Sequence, residues 1–235
     1  MTEDFRRRFE DLIGRAVHPV EIDLDDFAAF KDAYRDPRGM IDDAKLVEYY
    51  ISYRWLDLGP DDTYVDVAAQ DCPFAFFVRD RFGCKVYRQD LYYMKKGVHG
   101  SDIGGSAARI PLRAGSVSKI SLHNSLEHFE DNNDIKFFRK AQRLLRTGGK
   151  LLIVPLFIGD EYSTVNDAGW IDEGGVKHLW GVGARFARWY DLAHFKARIL
   201  DQSRELAIQV YHVENAAQID PSCFPYFAMF EKAAS

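Results

Sequence analysis

Residues 64–90 read YVDVAAQDCPFAFFVRDRFGCKVYRQD, and this stretch decides the fold. Apolar runs at about 63–68 and 84–88 predict two short buried strands, and each is closed by a carboxylate, Asp66 or Asp90. The helix predicted between them, over about 73–82, starts at Pro73, whose missing N–H costs nothing in a first helical turn. A strand, a helix and a second strand in this order predict a parallel β-α-β unit.

The rest of the chain continues the alternation and then breaks it. Further strands are predicted at about 118–124 and 150–155, and further helices at about 131–146 and 191–201. Alternation of this kind favours a doubly wound, Rossmann-like α/β fold, with a mostly parallel sheet covered on both faces. Two later β-like runs, Leu206 to Val213 and Phe224 to Phe230, predict an antiparallel hairpin at the sheet edge.

The two remaining regions differ from this pattern. Residues 1–60 are mainly helical in their apolar spacing, with a second, aromatic-rich helix from Asp43 to Leu58, so we expect a helical N-terminal extension or lid. The α/β domain would then span 61–235. Within it, residues 156–184 hold many glycines, two tryptophans and no clear period. A connection of that length is typically functional or disordered, and its aromatic content favours an ordered lid insertion.

Composition narrows the class of protein. The chain has 235 residues and a formal net charge of −5, which argues against general nucleic-acid binding because that needs a basic face. Its three cysteines, Cys72, Cys84 and Cys223, have no spacing typical of a disulfide framework or a zinc site, and no metal is expected. No apolar stretch approaches the roughly 20 residues that cross a bilayer. We therefore expect a soluble, cytoplasmic protein, and no pattern in the chain indicates its oligomeric state.

The two strand-end carboxylates suggest a ligand. Asp66 and Asp90 are a little over twenty residues apart, a spacing suited to the polar ends of a cofactor that contains adenosine. Asp66 would bind one polar end of such a cofactor, or else cap the turn that follows its strand. Asp90 would accept hydrogen bonds from ribose hydroxyls through two free oxygens, or else cap a helix or lie on the surface. Leu91 would pack on the adenine face, or else be an ordinary core leucine.

Three later motifs complete a family resemblance. Residues 107–117 read AARIPLRAGSV, residues 126–128 read LEH, and residues 146–150 read RTGGK. In this order they resemble the class I S-adenosylmethionine-dependent methyltransferases of the small-molecule type, over about 45–155 closely and 185–232 loosely. The resemblance implies a seven-stranded sheet, S-adenosylmethionine as cofactor and methyl transfer to a small-molecule acceptor. Ser106 and Ala107 would then lie beside the adenine, although relatives often place an acid at the position of Ser106.

The cofactor loop departs from the family pattern. Where relatives carry a glycine-rich turn after the first strand, this chain has Ala68, Gln70 and Cys72. A residue with a Cβ in the left-handed region costs about 1–2 kcal/mol, so two such positions are expected to weaken cofactor binding. Gln70 also adds bulk where the ligand should pass. A second hypothesis is therefore a non-catalytic relative that kept the fold for partner binding or regulation.

The remaining candidates follow the fourth predicted strand. Asn124 and Ser125 lie at its carboxyl end, where ligands of open α/β sheets bind. His128 is the candidate general base, because imidazole takes up a proton near neutral pH; a purely structural role is the alternative. His123 is expected to serve the core, and the aromatic cluster from Tyr49 to Trp55 is expected to pack rather than to cage a substrate. A nicotinamide dehydrogenase is the weaker third hypothesis, because that class depends still more on the missing glycines.

Overall fold

The structure is a computed structural model, which describes residues 2–35, 41–166, 169–171, 177–179 and 186–233. Within these ranges the α-helices are α1 Glu3–Ile13, α2 Leu24–Tyr34, α3 Asp43–Trp55, α4 Phe74–Phe82, α5 Asn133–Leu144, α6 Leu192–Arg198 and α7 Ala216–Ile219. The strands are β1 His18–Val20, β2 Thr63–Val67, β3 Lys85–Asp90, β4 Gly97–His99, β5 Asp102–Gly104, β6 Val117–His123, β7 Leu145–Val154, β8 Ser163–Val165, β9 Gly169–Ile171, β10 Lys177–Leu179, β11 Ala187–Trp189, β12 Leu206–Val213 and β13 Tyr226–Lys232. Short 3₁₀ turns follow Ser106, Ser125 and Ile199.

Nine strands form one sheet in the order β1-β12-β13-β7-β6-β2-β3-β5-β4. The central pairs, β7 with β6, β6 with β2, β2 with β3 and β3 with β5, are all parallel. Strands β12 and β13 form the expected antiparallel hairpin, and β13 pairs antiparallel with β7. The predicted doubly wound α/β fold is confirmed. The expected number of seven strands was wrong, because the short strands β1 and β4 add one strand at each edge of the sheet and give nine.

The sheet separates two apolar layers. Successive side chains of a strand point to opposite faces, so in β7 the side chains of Leu151 and Ile153 join one layer and those of Leu152 and Val154 the other. Helices α1, α5 and α6 cover the first face, through aromatic residues such as Phe9 and Phe195. Helices α2, α3 and α4 cover the second face. Helices on both faces leave the carboxyl ends of the parallel strands as the open side of the domain.

Residues 1–60 pack into both of these layers. Phe5 and Phe9 of α1 enter the first layer, and α2 and α3 supply most of the buried aromatic residues of the second. Strand β1 pairs parallel with β12 at one end of the main sheet. Helix α2 lies within the stretch expected to be mainly helical, although it was not predicted as a separate helix. Asp23 caps it by accepting the N–H groups of Asp25 and Asp26. The division at residue 60 stays a prediction.

The predicted lid is described only in part. Residues 167–168, 172–176 and 180–185, which include Trp180, lie outside the described residues, and for Trp170 only the backbone is described. Strand β8 pairs antiparallel with β11, and β9 with β10. The lid role stays a prediction. In the part of the chain that the structure describes, no helix is long and apolar enough to cross a membrane.

Candidate active site

A large cavity of about 1620 Å³ opens at the carboxyl ends of β2, β3 and β6. Helix α3 and the β12–β13 connection form its other walls. Every residue predicted from the sequence as cofactor-binding or catalytic lines it: Asp66, Ala68, Gln70, Asp90, Leu91, Ser106, Ala107, Asn124, Ser125 and His128. Parallel strands end at the same side of a sheet, which is why residues far apart in the sequence meet here.

The loop after β2 has the conformation that glycine usually supplies. Ala68 and Gln70 both lie in the left-handed region, with φ of 56° and 45°. Five hydrogen bonds hold the loop: Ala68 N–H to Gln89 Oε1 (3.4 Å), Ala69 N–H to Gln89 O (3.0 Å), Gln70 N–H to Asp90 Oδ2 (2.8 Å), Cys72 N–H to Ala69 O (2.9 Å) and Tyr93 Oη–H to Gln70 O (2.6 Å). The side chain of Gln70 is exposed, and the cavity beside it is open. The substituted loop therefore has, at Ala68 and Gln70, the backbone conformation that glycine adopts most readily.

Because of these hydrogen bonds, we expect the backbone strain of the loop to lower the stability of the fold and not the affinity for the cofactor. Because the fold itself holds Ala68 and Gln70 in the left-handed region, the cost of about 1–2 kcal/mol per position belongs to the folding free energy. Glycine at both positions would remove that cost but add about 0.5–1 kcal/mol of backbone entropy at each. We expect Ala68→Gly/Gln70→Gly to be more stable to urea by about 0.5–1 kcal/mol per position. The affinity for S-adenosylhomocysteine should change less than about threefold, because the strain is the same in the free and the bound protein. A threefold change in affinity corresponds to RT ln 3, which is well below the strain removed.

A control for this prediction lies within the same loop. Ala69 is buried and its φ is not in the left-handed region, so Ala69→Gly should lose about 1 kcal/mol of stability instead of gaining it. If the double glycine variant bound S-adenosylhomocysteine more than about tenfold tighter by calorimetry, the loop would have to rearrange on binding. The strain would then act on affinity, contrary to this prediction.

Asp66 is buried at the end of β2 and is held from one side. Its Oδ1 lies 3.1 Å from His123 Nδ1, while His123 Nε2 lies 2.7 Å from Ser52 Oγ in α3. Its other oxygen, Oδ2, is buried without a hydrogen-bond partner, although Asp66 lines the cavity. Burial lowers the pKa of His123, against the effect of the Asp66 carboxylate. One oxygen is thus fixed by the fold and the other is left to bind a donor.

Both carboxylate oxygens of Asp90 already accept hydrogen bonds within the protein. Its Oδ2 accepts the N–H of Gln70 and its Oδ1 accepts the N–H of Tyr92, both at 2.8 Å. The expectation of two free oxygens was therefore wrong, although each carboxylate oxygen retains a second lone pair for a hydroxyl. The neighbouring Leu91 is 62% exposed, which excludes the core-leucine alternative and leaves its side chain at the cavity.

Ser106 and Ala107 begin a 3₁₀ turn on the wall beside Asp90. The Ser106 hydroxyl accepts the N–H of Ala108 at 3.3 Å, which caps the turn, and Ala107 is buried behind it. The hydroxyl that was expected to replace an acid is therefore already used as an acceptor. It still has its own proton and a second lone pair for a ligand.

Asn124, Ser125 and His128 form the wall that follows β6. Asn124 is in the left-handed region, with φ of 49°, and its N–H binds Val154 O at 2.8 Å. The Ser125 hydroxyl is buried without a partner. His128 Nδ1 lies 2.7 Å from Phe186 O; a carbonyl can only accept, so the proton is on Nδ1. Burial lowers the pKa of His128. A neutral ring with an unprotonated Nε2 is the form that a general base needs.

Two glutamates near this wall were missed as acid–base groups. Burial raises the pKa of Glu48, in α3, and of Glu127, next to His128, to about 7 in each case. Glu48 Oε2 accepts a hydrogen bond from Lys45 Nζ at 2.5 Å, and Lys45 also binds His123 O at 2.9 Å. Glu48 lies within a helix whose pattern is dominated by tyrosines, so nothing in the sequence separated it from a surface acid. Among the described residues, no group of three or more His, Cys, Asp or Glu could hold a metal ion.

The aromatic residues of α3 pack into the fold as expected. Tyr49 stacks on Phe74, with ring centroids 4.8 Å apart, and Trp55 packs edge-on against Phe227 at 5.4 Å. Tyr50 donates a hydrogen bond to Asp26 in α2 at 2.7 Å. Tyr49 also reaches the cavity wall, but it is buried between its neighbours and only 3% exposed. The cluster therefore connects α3 to α2, α4 and β13.

A buried ion network supports the His128 side of the cavity. Asp134, at the start of α5, is fully buried and accepts Arg188 Nη1 at 2.7 Å, Tyr190 Oη–H at 2.8 Å, and Arg198 Nε and Nη2 at 2.8 Å each. Arg188 also donates to the carbonyl oxygens of Phe129 and Asp131. This network fixes the chain around residue 188, close to the Phe186 carbonyl that orients His128.

Comparisons with known proteins agree with this geometry. Residues 65–153 match a family described as a methyltransferase domain. That segment begins in β2 and ends in β7, so it contains both strand-end carboxylates and the wall after β6. No curated protein matches the chain.

Several solved structures share the fold. A geranyl diphosphate C-methyltransferase from Streptomyces coelicolor, solved with Mg²⁺, geranyl diphosphate and S-adenosyl-L-homocysteine, is 13% identical, with a TM-score of 0.54; the match covers 98% of this chain and 97% of that one. A 1,6-didemethyltoxoflavin-N1-methyltransferase from Burkholderia thailandensis, solved with 1,6-didemethyltoxoflavin and S-adenosylhomocysteine, is 13% identical, with a TM-score of 0.51 and coverage of 97% and 91%. An S-adenosylmethionine-dependent methyltransferase from Mesorhizobium loti is 13% identical, with a TM-score of 0.51 and coverage of 80% and 96%. Residues 65–153 thus match a methyltransferase domain, and the chain shares its fold with S-adenosylmethionine-dependent methyltransferases.

Proposed function

We propose that this protein transfers a methyl group from S-adenosylmethionine to a small-molecule acceptor. The observation that carries the proposal is the cofactor loop, in which Ala68 and Gln70 take up the left-handed conformation that glycines supply in relatives, beside an open cavity. Solved relatives of the same fold contain S-adenosylhomocysteine, which supports the choice of cofactor. Small-molecule sites typically occupy about 300–1,000 Å³, so a cavity of about 1620 Å³ offers room for a cofactor and an acceptor.

The cofactor residues would act from three strand ends. Asp66 would bind the ammonium group through its unpartnered Oδ2, and Asp90 would accept a ribose hydroxyl on a remaining lone pair. The main chain of Ala68 and Gln70 would pass beside the methionine part. Leu91 would cover the adenine, with Ser106 and Ala107 at its edge, while Asn124 and Ser125 would lie where cofactor and acceptor meet.

Little further chemistry is required from the protein. The bound cofactor supplies a methyl group already activated on a sulfonium, so holding the acceptor in line provides most of the rate gain. His128 would take the proton of the acceptor on Nε2, since its Nδ1 proton is directed to Phe186 O. Phe129 and Phe157 also line the cavity and would exclude water from the reacting atoms.

Calorimetry with S-adenosylhomocysteine tests this proposal directly. We expect binding in the micromolar range by the wild-type chain. Asp90→Asn should weaken it by about 10- to 100-fold, the value of a hydrogen bond to a charged acceptor. Asp102→Asn is the matched control, because Asp102 pairs with Arg88 in β3 and does not line the cavity. It should change the affinity less than about twofold, as expected of a partly exposed pair outside the site.

The competing hypothesis is a binding or regulatory protein that has lost the cofactor. A folded wild-type chain with a dissociation constant for S-adenosylhomocysteine above the millimolar range would favour that hypothesis and overturn the proposed activity. Turnover of any acceptor, measured as release of S-adenosylhomocysteine, would exclude it.

A further inference from the structure

The charged groups around the cavity are almost all of one sign. Six carboxylates line it: Asp42, Glu48, Asp66, Asp71, Asp90 and Glu130. Among the described lining residues there is no arginine, and Lys45 is the single lysine. Phosphate and carboxylate groups are bound in proteins chiefly by arginine, lysine and clustered backbone N–H groups. A cavity lined in this way disfavours an anionic acceptor.

The single lysine is already engaged by the protein. Lys45 Nζ donates to Glu48 Oε2 and to His123 O, which uses two of its three N–H donors. Its charge therefore compensates the buried carboxylates and is not directed at a ligand. An anion entering the cavity would meet the carboxylates, and no lining cation among the described residues is left to balance it.

Two buried polar groups at the cavity lack partners. The Ser125 hydroxyl belongs to a residue that is only 6% exposed, and Asp66 Oδ2 belongs to a residue that is 1% exposed. A buried polar atom without a hydrogen bond costs about 1–3 kcal/mol, so such atoms mark positions where a ligand donates or accepts. If Asp66 is assigned to the cofactor, the Ser125 hydroxyl remains for the acceptor.

The rest of the acceptor side is apolar and aromatic. Phe157 packs against Phe224 with ring centroids 5.0 Å apart, and Phe224 lies 6.1 Å from Tyr226. All three side chains line the cavity, as do His128 and Phe129. Aromatic rings bind flat apolar groups and also attract cations to their faces.

We infer that the methyl acceptor is a small amine with an apolar or aromatic body, bound through Glu48 and the Ser125 hydroxyl, and methylated on nitrogen. The inference rests on the proposed function and narrows its substrate class. Glu48, whose Oε2 already accepts Lys45 Nζ, would accept the ammonium group on its remaining lone pairs. The aromatic wall formed by Phe157, Phe224 and Tyr226 would hold the body.

The reaction balances with the groups present. The bound ammonium loses one proton to His128 Nε2 and becomes a neutral amine. Its lone pair forms a bond to the methyl carbon while the carbon–sulfur bond breaks and its electron pair stays on sulfur. The product is a methylated ammonium, the sulfur becomes a neutral thioether, and His128 returns its proton to water. No oxidant, reductant or metal is consumed.

Binding to the S-adenosylhomocysteine complex tests the inference. The probes are three matched series with hexyl, 2-phenylethyl and 2-(indol-3-yl)ethyl bodies, each as the amine, the carboxylate and the phosphate ester. At least one amine should bind about ten or more times tighter than its anionic partners and be methylated, since charge mismatch in a desolvated site costs more than about 1.4 kcal/mol. Failure of every amine to bind, or an anion that binds as tightly, would overturn the inference. Failure of S-adenosylhomocysteine to bind would instead overturn the proposed function.

Variants separate recognition of the nitrogen from recognition of the body. Glu48→Gln should weaken amine binding at least about tenfold with less than about threefold effect on S-adenosylhomocysteine, and Phe157→Ala should weaken all head groups equally. Glu21→Gln, an exposed acid away from the cavity, should change neither. Should Glu48→Gln fail to fold, Ser125→Ala provides the second variant, with an expected loss of about three- to tenfold for amines. An unchanged preference for amines in both variants would contradict the inference.

Discussion

Replacing Asp134 by alanine is expected to cost about 3–5 kcal/mol of unfolding free energy, more than we expect from any other single substitution in this chain. Arg188 is only 3% exposed and Asp134 is fully buried, so the variant leaves a buried guanidinium without its counter-charge. The Tyr190 hydroxyl and the Arg198 guanidinium lose the same acceptor. Urea unfolding at neutral pH, followed by tryptophan fluorescence, measures the loss.

Asp201→Ala is the matched control for this prediction. Asp201 also pairs with a cation, Lys196, but the lysine side chain is 54% exposed and the aspartate side chain 33%. Exposed pairs contribute about 0–1 kcal/mol, so the control should remain close to the wild type. A loss below about 1 kcal/mol for Asp134→Ala would show that the network contributes no more than a surface pair. The support described for the His128 wall would then have to come from elsewhere.

The second large effect is a dependence of stability on pH that originates at Glu127. Burial raises the pKa of Glu127 from 4.5 to about 7. A raised pKa in the folded state means that the protonated group stabilises the fold below pH 4.5, and that this contribution is lost as the pH rises through about 7. At about pH 8 the ionised carboxylate therefore costs on the order of 3 kcal/mol.

Glu127→Gln removes this titration with little change in the shape of the side chain. The variant should match the wild type at about pH 4.5 and exceed its unfolding free energy progressively between about pH 5 and pH 8, by up to about 3 kcal/mol. Glu21→Gln, at an exposed position, should parallel the wild type over the same range. A constant difference between Glu127→Gln and the wild type would show that Glu127 does not carry this pH dependence. Denaturation at several pH values makes the comparison.

The central fold could be predicted because its signals are local. The buried strands β2, β3, β6 and β7 each carry closely spaced apolar residues, and α4 ends at Gly83, which takes the left-handed conformation typical of a glycine after a helix. The edge strands β1 and β4 could not be predicted, since each has only three residues and is largely exposed. Such strands form because a neighbouring strand offers unpaired backbone groups, which is a property of the assembled sheet.

Some residues of the candidate site were likewise predictable from the sequence, and others were not. Asp66 and Asp90 were identifiable because strand-end carboxylates in a parallel sheet converge at one edge. Glu48 was not, because its raised pKa comes from burial and from neighbours such as Glu127, which is distant in sequence. The effect of Ala68 and Gln70 on the loop was also undecided, since only the structure shows that both lie in the left-handed region beside an open cavity.

The sequence alone determined the order of strands and helices and the positions of the polar residues at strand ends, because spacing of apolar residues and turn chemistry act over a few neighbours. Tertiary structure decided the rest: that Gln70 leaves the cavity open, that both oxygens of Asp90 are already bonded, and that Asp134 is enclosed by two arginines. Burial and charge compensation depend on which distant segments pack together, and no local pattern of residues encodes that.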